Sequence, residues 1–407
     1  MSDAERNWLT NPARRAAMVR MAQVMAASPA VAATSALAQS DPRPLGEHRR
    51  VLTLAEMQTA FDFEPVFFGN VPLSIYDYTA HGDGSEFTLR RNREAFDWVD
   101  ILAPRAPVPA AQVDLSSELL GVKMKFPILV GPTAAQTPLH PDGEKGMFQA
   151  ATAAGQTMVL SVNTSTPVEQ VAPAAPGGVL WAQLYPVENP AGTERLVASY
   201  QNAGCTGIVI TVDQQSSYYE RTQQDLNFGG RVRTPRVSPV AATATGSARY
   251  RISGGRLWYT WAYIDSVRKL VKGPLILKGI LTAEDARLAV EHGADAIMVS
   301  NHGGRSMDYG PSSLEVLPEI VDAVGGRTTV LFDSGIRRGS DIFKALALGA
   351  DGVSLGRTSR WGLAAFGAAG AQRMFEILQQ ELVQTAAAAG CAKLADINKT
   401  KVRTHFV

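Results

Sequence analysis

Cysteine is nearly absent. Cys205 and Cys391 are the only two in 407 residues, and they stand far apart, in no CxxC or finger-like spacing. That rules against a disulfide framework and a cysteine zinc site. Cys205, within Asn202-Ala203-Gly204-Cys205-Thr206-Gly207, reads as a small packed apolar residue rather than a nucleophile. An excess of one charge is missing too. Lys plus Arg number 39 against 38 for Asp plus Glu, so net charge gives no reason to expect a nucleic-acid partner. No run has the length and hydrophobicity of a transmembrane helix. Nor is there a GxGxxG turn in the first βα unit, which weakens a nicotinamide-binding Rossmann reading. What is present is an ordinary globular balance, 45% apolar and 19% charged, in a chain longer than the roughly 250 residues of a bare (β/α)8 barrel.

Residues 1–50 read as an N-terminal helical arm or tail. Arg14-Arg15 precedes a weakly apolar stretch from Met21 to Ala38, and Ala36-Leu37-Ala38 has the look of a signal-peptide cleavage site. Arg20 interrupts that stretch and Pro29 divides it. A cytoplasmic protein is therefore expected, with an exported form as the alternative if the first 38 residues are a signal peptide. Short helices are expected over 53–62, 67–80 and 86–98, and the barrel domain as a whole over 51–407.

From Phe126 onward the chain acquires a beat. Apolar runs occur at Pro127–Val130, Met158–Leu160, Val179–Leu184, Gly207–Val212, Leu275–Lys278, Ala296–Val299, Thr328–Phe332 and Gly352–Leu355, with helix-compatible segments in most intervals. Strand then helix, eight times, fits an α/β fold, a closed (β/α)8 TIM barrel, better than an open sheet. The beat breaks at 213–273, between the fourth and fifth strands. This long insertion is expected to act as a lid beside the mouth.

Ser300-Asn301-His302-Gly303-Gly304-Arg305 lies at the carboxyl end of the sixth run, where barrel enzymes keep their chemistry. A histidine can exchange a proton near neutral pH, and an arginine can clamp a carboxylate with two parallel donors. The other strand ends carry Pro132-Thr133-Ala134, Ser161, Gln183, Tyr185, Thr211, Asp213, Lys278, Asp333 and Gly356-Arg357. Together they offer a basic phosphate site, polar partners for a ring, and a His–Arg pair for an acidic substrate. That combination suggests a flavin mononucleotide (FMN) site.

Those residues, with Leu277-Lys278-Gly279-Ile280 and Asp333-Ser334-Gly335-Ile336-Arg337-Arg338-Gly339, resemble the FMN-dependent L-2-hydroxy acid oxidase/dehydrogenase family from about Tyr76 through Leu363 and beyond. The resemblance implies a small L-2-hydroxy acid as substrate, lactate-like or larger, and oxygen or another electron acceptor. It makes His302 the base, oriented by Asp213. Arg305 would bind the substrate carboxylate with Tyr78 and Arg221, and Tyr185 would face the hydroxyl-bearing carbon. Pro132, Thr133, Ala134, Ser161, Gln183 and Thr211 would contact the flavin, and Lys278 would stabilise charge on its reduced form. Asp333 would hold the ribityl chain, while Gly335, Arg337, Gly356 and Arg357 enclose the phosphate. A homo-oligomer, as in the tetramers and octamers of relatives, is expected.

Three positions depart from the family's pattern. Matching Arg221 needs a small insertion, Thr358 stands where proline is common, and Asn163 stands where some glycolate-oxidising relatives have Trp. The last makes glycolate a poor default. Two other functions are expected to compete: a phosphate-substrate aldolase or isomerase using Lys278 as a Schiff base, and a non-catalytic FMN-binding protein.

Overall fold

The computed structural model describes residues 52–104, 106–186, 189–213 and 260–406. The arm at 1–50, Arg221 and the 214–259 part of the expected lid lie outside these residues. At its entry the chain forms helices α1 (Phe63–Asn70) and α2 (Leu73–Ala80), parted by Val71 and Pro72, then α3 (Phe87–Asp97). Strand β1 (Val99–Ile101) pairs antiparallel with β12 (Val402–Thr404), so the two ends of the described domain are stitched together. A hairpin follows, β2 (Ser117–Leu119) and β3 (Val122–Met124). The sequence reading missed both pairings, since three-residue strands are too short to show a period of two.

The barrel comprises β4 (Ile128–Val130), β5 (Thr157–Leu160), β6 (Leu180–Leu184), β7 (Gly207–Thr211), β8 (Leu275–Ile280), β9 (Ala296–Val299), β10 (Thr329–Asp333) and β11 (Gly352–Leu355). All neighbouring pairs are parallel, and β11 closes on β4. These are the eight expected runs, with ends shifted by at most two residues. Their continuous apolar character follows from burial on both faces. Helices α4 (Gly143–Ala153), α5 (Val168–Val171), α6 (Pro190–Asn202), α7 (Trp261–Arg268), α8 (Ala283–Glu291), α9 (Ser313–Val324), α10 (Gly339–Ala347) and α11 (Arg357–Ala388) follow or lead into strands. The last spans two helical stretches meeting at a kink at Phe366 and Gly367.

Alternation divides the strand residues into two sets. Outward residues such as Ile128, Val130, Ile208 and Ile210 pack in one cluster with helix residues including Phe148, Ile264 and Phe375. Inward residues Leu129, Val159, Trp181, Val209, Ile276, Met298 and Leu331 fill the barrel, and Leu119 and Met124 of the hairpin join them. The hairpin thus plugs the amino-terminal end of the barrel and leaves the carboxyl end to chemistry. No helix among the described residues is long and apolar enough to cross a membrane. Cys205 is buried, and burial pushes its thiol up to about 12, which fits a packing role.

Trp181 is 0% exposed at the centre of the inner layer. Trp181→Ala should lower the unfolding free energy by about 3–5 kcal/mol, because closed strands cannot collapse into the cavity left behind. A lowered urea midpoint is the readout, and an unchanged one would show that the layer repacks.

Candidate active site

Two residues further along each strand the inward direction recurs, and there the side chains change character. Leu129 is followed by Gly131, Val159 by Ser161, Trp181 by Gln183, Val209 by Thr211, Ile276 by Lys278, Met298 by Ser300 and Leu331 by Asp333. An apolar plug therefore gives way within one layer to a polar floor. Ser161, Gln183, Thr211, Lys278 and Ser300 in that floor are all buried.

Register brings the reactive groups together. Thr211 pairs with Lys278, and Lys278 with Met298, so the ends of β7, β8 and β9 lie side by side. Asp213 Oδ1 lies 2.7 Å from His302 Nδ1, and Asp213 Oδ2 accepts from Lys278 Nζ at 3.1 Å. Lys278 also donates to Ser300 Oγ at 2.9 Å and lies 3.6 Å from Asp333 Oδ2. Close approach of β8 to Asp213 requires glycine at 279. Its φ is +110°, and a side chain there would place Cβ 2.4 Å from Asp213 Cβ. A bulge in β8 falls at this point.

The His302 loop has an unusual backbone. His302, Gly303 and Gly304 take φ of 60°, 69° and 74°, the left-handed region, which is uncommon for a residue with a side chain. Hydrogen bonds hold it there. His302 N donates to Ser300 Oγ, Gly303 N to Ser334 Oγ and Gly304 N to Asn301 Oδ1. Asn301 in turn exchanges amide hydrogen bonds with Asn92 of α3.

Electrostatics set the protonation states. Burial alone would raise Asp213, but the charges of His302 and Lys278 outweigh it and hold the carboxyl at about 2. Burial would likewise lower Lys278, yet Asp213 and Asp333 keep it above its ordinary value. A Schiff-base lysine must lose its proton, so this setting speaks against the aldolase alternative. For His302 burial is the largest influence and drives the imidazole below 6.5, with Lys278 and Arg305 adding to it and Asp213 opposing. A carboxylate at Nδ1 makes that nitrogen the protonated one and leaves Nε2 as the basic atom of a neutral ring.

Arg305 Nη1 donates to the carbonyls of Tyr78 and His81 at 2.5 and 3.0 Å, and its guanidinium lies over the Tyr78 ring at 4.9 Å. Arg357 donates to the carbonyls of Thr79, Gly303 and His81. Arg360 donates to Thr79 Oγ1 and the Ala134 carbonyl and also lies over Tyr78, at 5.5 Å. The carboxyl end of α2 has its unpaired carbonyls and the negative pole of its dipole at Tyr78 and Thr79, and two arginines answer both needs.

Of the other expected residues, Ser161 Oγ donates to Gln183 Oε1 at 3.3 Å, and Thr133 Oγ1 accepts from Gln136. Tyr185, just past β6, acts on the Lys278 charge. Pro132 follows β4. Gly356 precedes α11, which Arg357 opens. Gly335 has φ +85° and its carbonyl accepts from Arg93, while Arg337 is buried with its guanidinium over the Trp361 ring at 4.6 Å. Sequence reasoning named Ser300 and Asn301 within the histidine motif without giving them a role, and missed His81, Asn92 and Arg360. The spacing of Arg360 three residues after Arg357, on one helical face, was a usable signal.

Whether the mouth suits a flavin can be judged from its own unsatisfied groups. Gln183 Nε2, Thr211 Oγ1 and Ser354 Oγ are buried with no partner among the described residues. Orphaned buried polar atoms each cost about 1–3 kcal/mol, so a ligand bearing both donors and acceptors belongs against them. A ring of that kind beside a buried lysine fits. A parallel barrel with such a mouth defines a flavoenzyme of the (β/α)8 class. Residues 69–404 match the FMN-dependent dehydrogenase family, and the chain belongs to it. Its cofactor is FMN. The chain is 37% identical to glycolate oxidase 3 of Arabidopsis thaliana over 368 residues, 86% of this chain and 97% of that protein. It is 35% identical to glycolate oxidase of Spinacia oleracea over the same span and shares. A solved mandelate oxidase superposes with a TM-score of 0.78 at 34% identity, covering 86% of this chain and 99% of that one.

The Asp213 carboxyl sits lower in the fold than its ordinary 3.8, at about 2. Its stabilisation is therefore complete above 3.8 and is lost as pH falls toward 2. Asp213→Asn should lower the urea midpoint at neutral pH, and the gap to wild type should narrow by on the order of 2 kcal/mol across that acid window. A gap independent of pH would contradict the ion-paired state of Asp213.

Proposed function

We propose that this protein oxidises an L-2-hydroxy acid to the 2-oxo acid, with His302 as base and Arg305 as carboxylate clamp, and passes the electrons to oxygen. The observation that carries the reading is the His302–Asp213 pair at 2.7 Å, set among Lys278, Arg305 and Tyr78 at the carboxyl end of the barrel. FMN, when bound, would take up the two electrons and one of the two protons that the substrate loses. Everything else falls to the chain. His302 Nε2 accepts the proton released from the substrate, and the buried Asp213 carboxylate then stabilises the imidazolium so formed. Arg305, steadied by the Tyr78 and His81 carbonyls, presents the planar fork that a carboxylate takes two-pronged.

Pro132, Thr133, Ala134, Ser161, Gln183, Thr211 and Lys278 would hold the flavin ring. Asp333 would hold the ribityl chain, and Gly335, Arg337, Gly356 and Arg357 the phosphate. Tyr185 would face the reacting carbon, and Arg221 would assist Arg305. Relatives named glycolate oxidase and mandelate oxidase support both the substrate class and oxygen as acceptor. A solved mutant of mandelate oxidase, with a tyrosine replaced by phenylalanine, 32% identical with a TM-score of 0.76, carries (S)-mandelic acid, which has the L configuration. Asn163, replacing a bulkier residue, favours a substrate larger than glycolate. A homo-oligomer, a tetramer by analogy, fits the family and is checked by light scattering.

Anaerobic mixing of the FMN-loaded protein with glycolate, L-lactate and L-mandelate should bleach the flavin with the larger acids, and admitted oxygen should restore the colour and yield peroxide. No bleaching by any of them would leave only a flavin-binding protein. His302→Ala should keep FMN and bleach about 10²–10⁴-fold more slowly. Arg305→Lys keeps charge but loses the fork, and should cost about 10–100-fold, mostly in KM. Because His302 sits below 6.5 and works as a neutral base, kcat/KM should climb with pH below that value and level off above it. An activity that falls over that range would contradict the assignment.

A further inference from the structure

Glu144 is a buried ionisable group with no part in the chemistry above. It stands in the first turn of α4 and is 0% exposed. Its carboxylate takes four donors. Gln136 N and Ser165 N reach Oε1 at 3.0 and 2.7 Å, Ser165 Oγ lies within 2.8 Å of both oxygens, and Thr166 Oγ1 donates to Oε2 at 2.8 Å. Burial would raise this carboxyl, yet the donors hold it below its ordinary value, so it is ionised.

The donors come from two different loops, one after β4 and one after β5. The same loops touch each other directly, Ala135 N donating to Asn163 O and Thr137 N to Ser165 Oγ, both at 3.0 Å. From this brace short paths lead to the floor of the mouth. Gln136 Nε2 donates to Thr133 Oγ1 at 3.0 Å, and Asn163 N to Ser161 Oγ at 3.1 Å. Ala135 holds a left-handed φ of 44°, a conformation that local preference alone would not keep. A buried charge costs more to desolvate than a neutral tie would, so its use here demands a tightly specified geometry in return.

We propose that Glu144 is a positioning residue that fixes the spacing of the two loops bearing Pro132–Ala134 and Ser161 against the flavin, acting through Gln136 and Ser165 without touching it. The proposal rests on the assignment of those four residues to the flavin made above.

The experiment uses the full chain loaded with FMN and compares wild type with Glu144→Gln, Glu144→Asp and Ser165→Ala. FMN affinity is read from flavin fluorescence and the surroundings of the ring from its absorption bands. Glu144→Gln turns an acceptor into a donor facing hydroxyls, and should weaken FMN binding about tenfold or more with shifted bands. Ser165→Ala cuts one brace without stranding a charge, and should weaken it about threefold. Glu144→Asp should recover part of the loss. Affinity within twofold of wild type and unaltered bands in both Glu144→Gln and Ser165→Ala would overturn the proposal, whatever their thermal stability. If Glu144→Gln does not fold, Ser165→Ala alone decides. Wild type that binds FMN but is bleached by no 2-hydroxy acid would sink the oxidation reading and leave this comparison intact. Wild type that binds no FMN would end both.

Discussion

Between His302 and Lys278 stands one buried carboxylate, and its contacts with both govern how the rest of the mouth is arranged. Asp213 is 4% exposed in its side chain and Lys278 5%, so neither charge could be left there alone. Each oxygen of Asp213 has one cationic or potentially cationic partner, and Ser300 Oγ at 3.3 Å from Oδ2 completes the set. The pairing demands that β7, β8 and β9 end at the same height. It also demands glycine at 279, since any side chain there would drive Asp213 off its partners. A histidine placed in such a field stays neutral until it receives a proton, and the carboxylate that awaits it is already ionised.

A second constraint gathers the arginines. Arg305 and Arg357 come from a loop after β9 and from the start of α11, and a segment outside the barrel holds their long side chains. Both end on carbonyls of the segment Tyr78–His81, and Arg360 joins them at Thr79 Oγ1. The Tyr78 ring lies against two guanidiniums, at 4.9 and 5.5 Å. The His81 imidazole anchors this segment from its other side, 2.9 Å from both Asp77 and Glu86, and the Glu86 hydrogen bond keeps it protonated more readily than usual. A helix outside the barrel thus supplies the fixed negative surface that organises positive charge at the mouth.

The barrel was legible because strands buried on both faces are apolar throughout and leave runs that stand out against Ala-rich helices. Asp213, Lys278 and His302 were legible for the opposite reason: each breaks such a run at its carboxyl end, where a charge has to be explained. Arg360, His81 and Glu144 were not. They lie on helices or at helix ends, where polar residues are ordinary, and their partners become apparent only in the fold: Thr79 and Ala134 for Arg360, Ser165 and Thr166 for Glu144, and the arginines that bind the His81 carbonyl. Ser300 was hidden differently, as a small hydroxyl beside a conspicuous histidine, although its Oγ meets Lys278, Asp213 and the His302 amide at once. The hairpin that plugs the barrel was missed because Leu119 and Met124 acquire meaning only from the inner layer they close.

Position 163 is tied to its surroundings in a different way. The backbone of Asn163 is pinned at both ends, its carbonyl by Ala135 N at 3.0 Å and its N–H by Ser161 Oγ at 3.1 Å. Neither bond involves the side chain. The Glu144 brace fixes the same loop two residues on, again through Ser165 and Thr166 rather than through residue 163. The Asn163 side chain takes no part in these bonds, whereas Ser161 and Ser165 take part through their hydroxyls. His302 and Glu144 are each bound into networks of several hydrogen bonds. Under the proposed function Asn163 lines the substrate pocket, and a residue there that is tied through its backbone would let the same barrel keep its chemistry while accepting acids of different bulk.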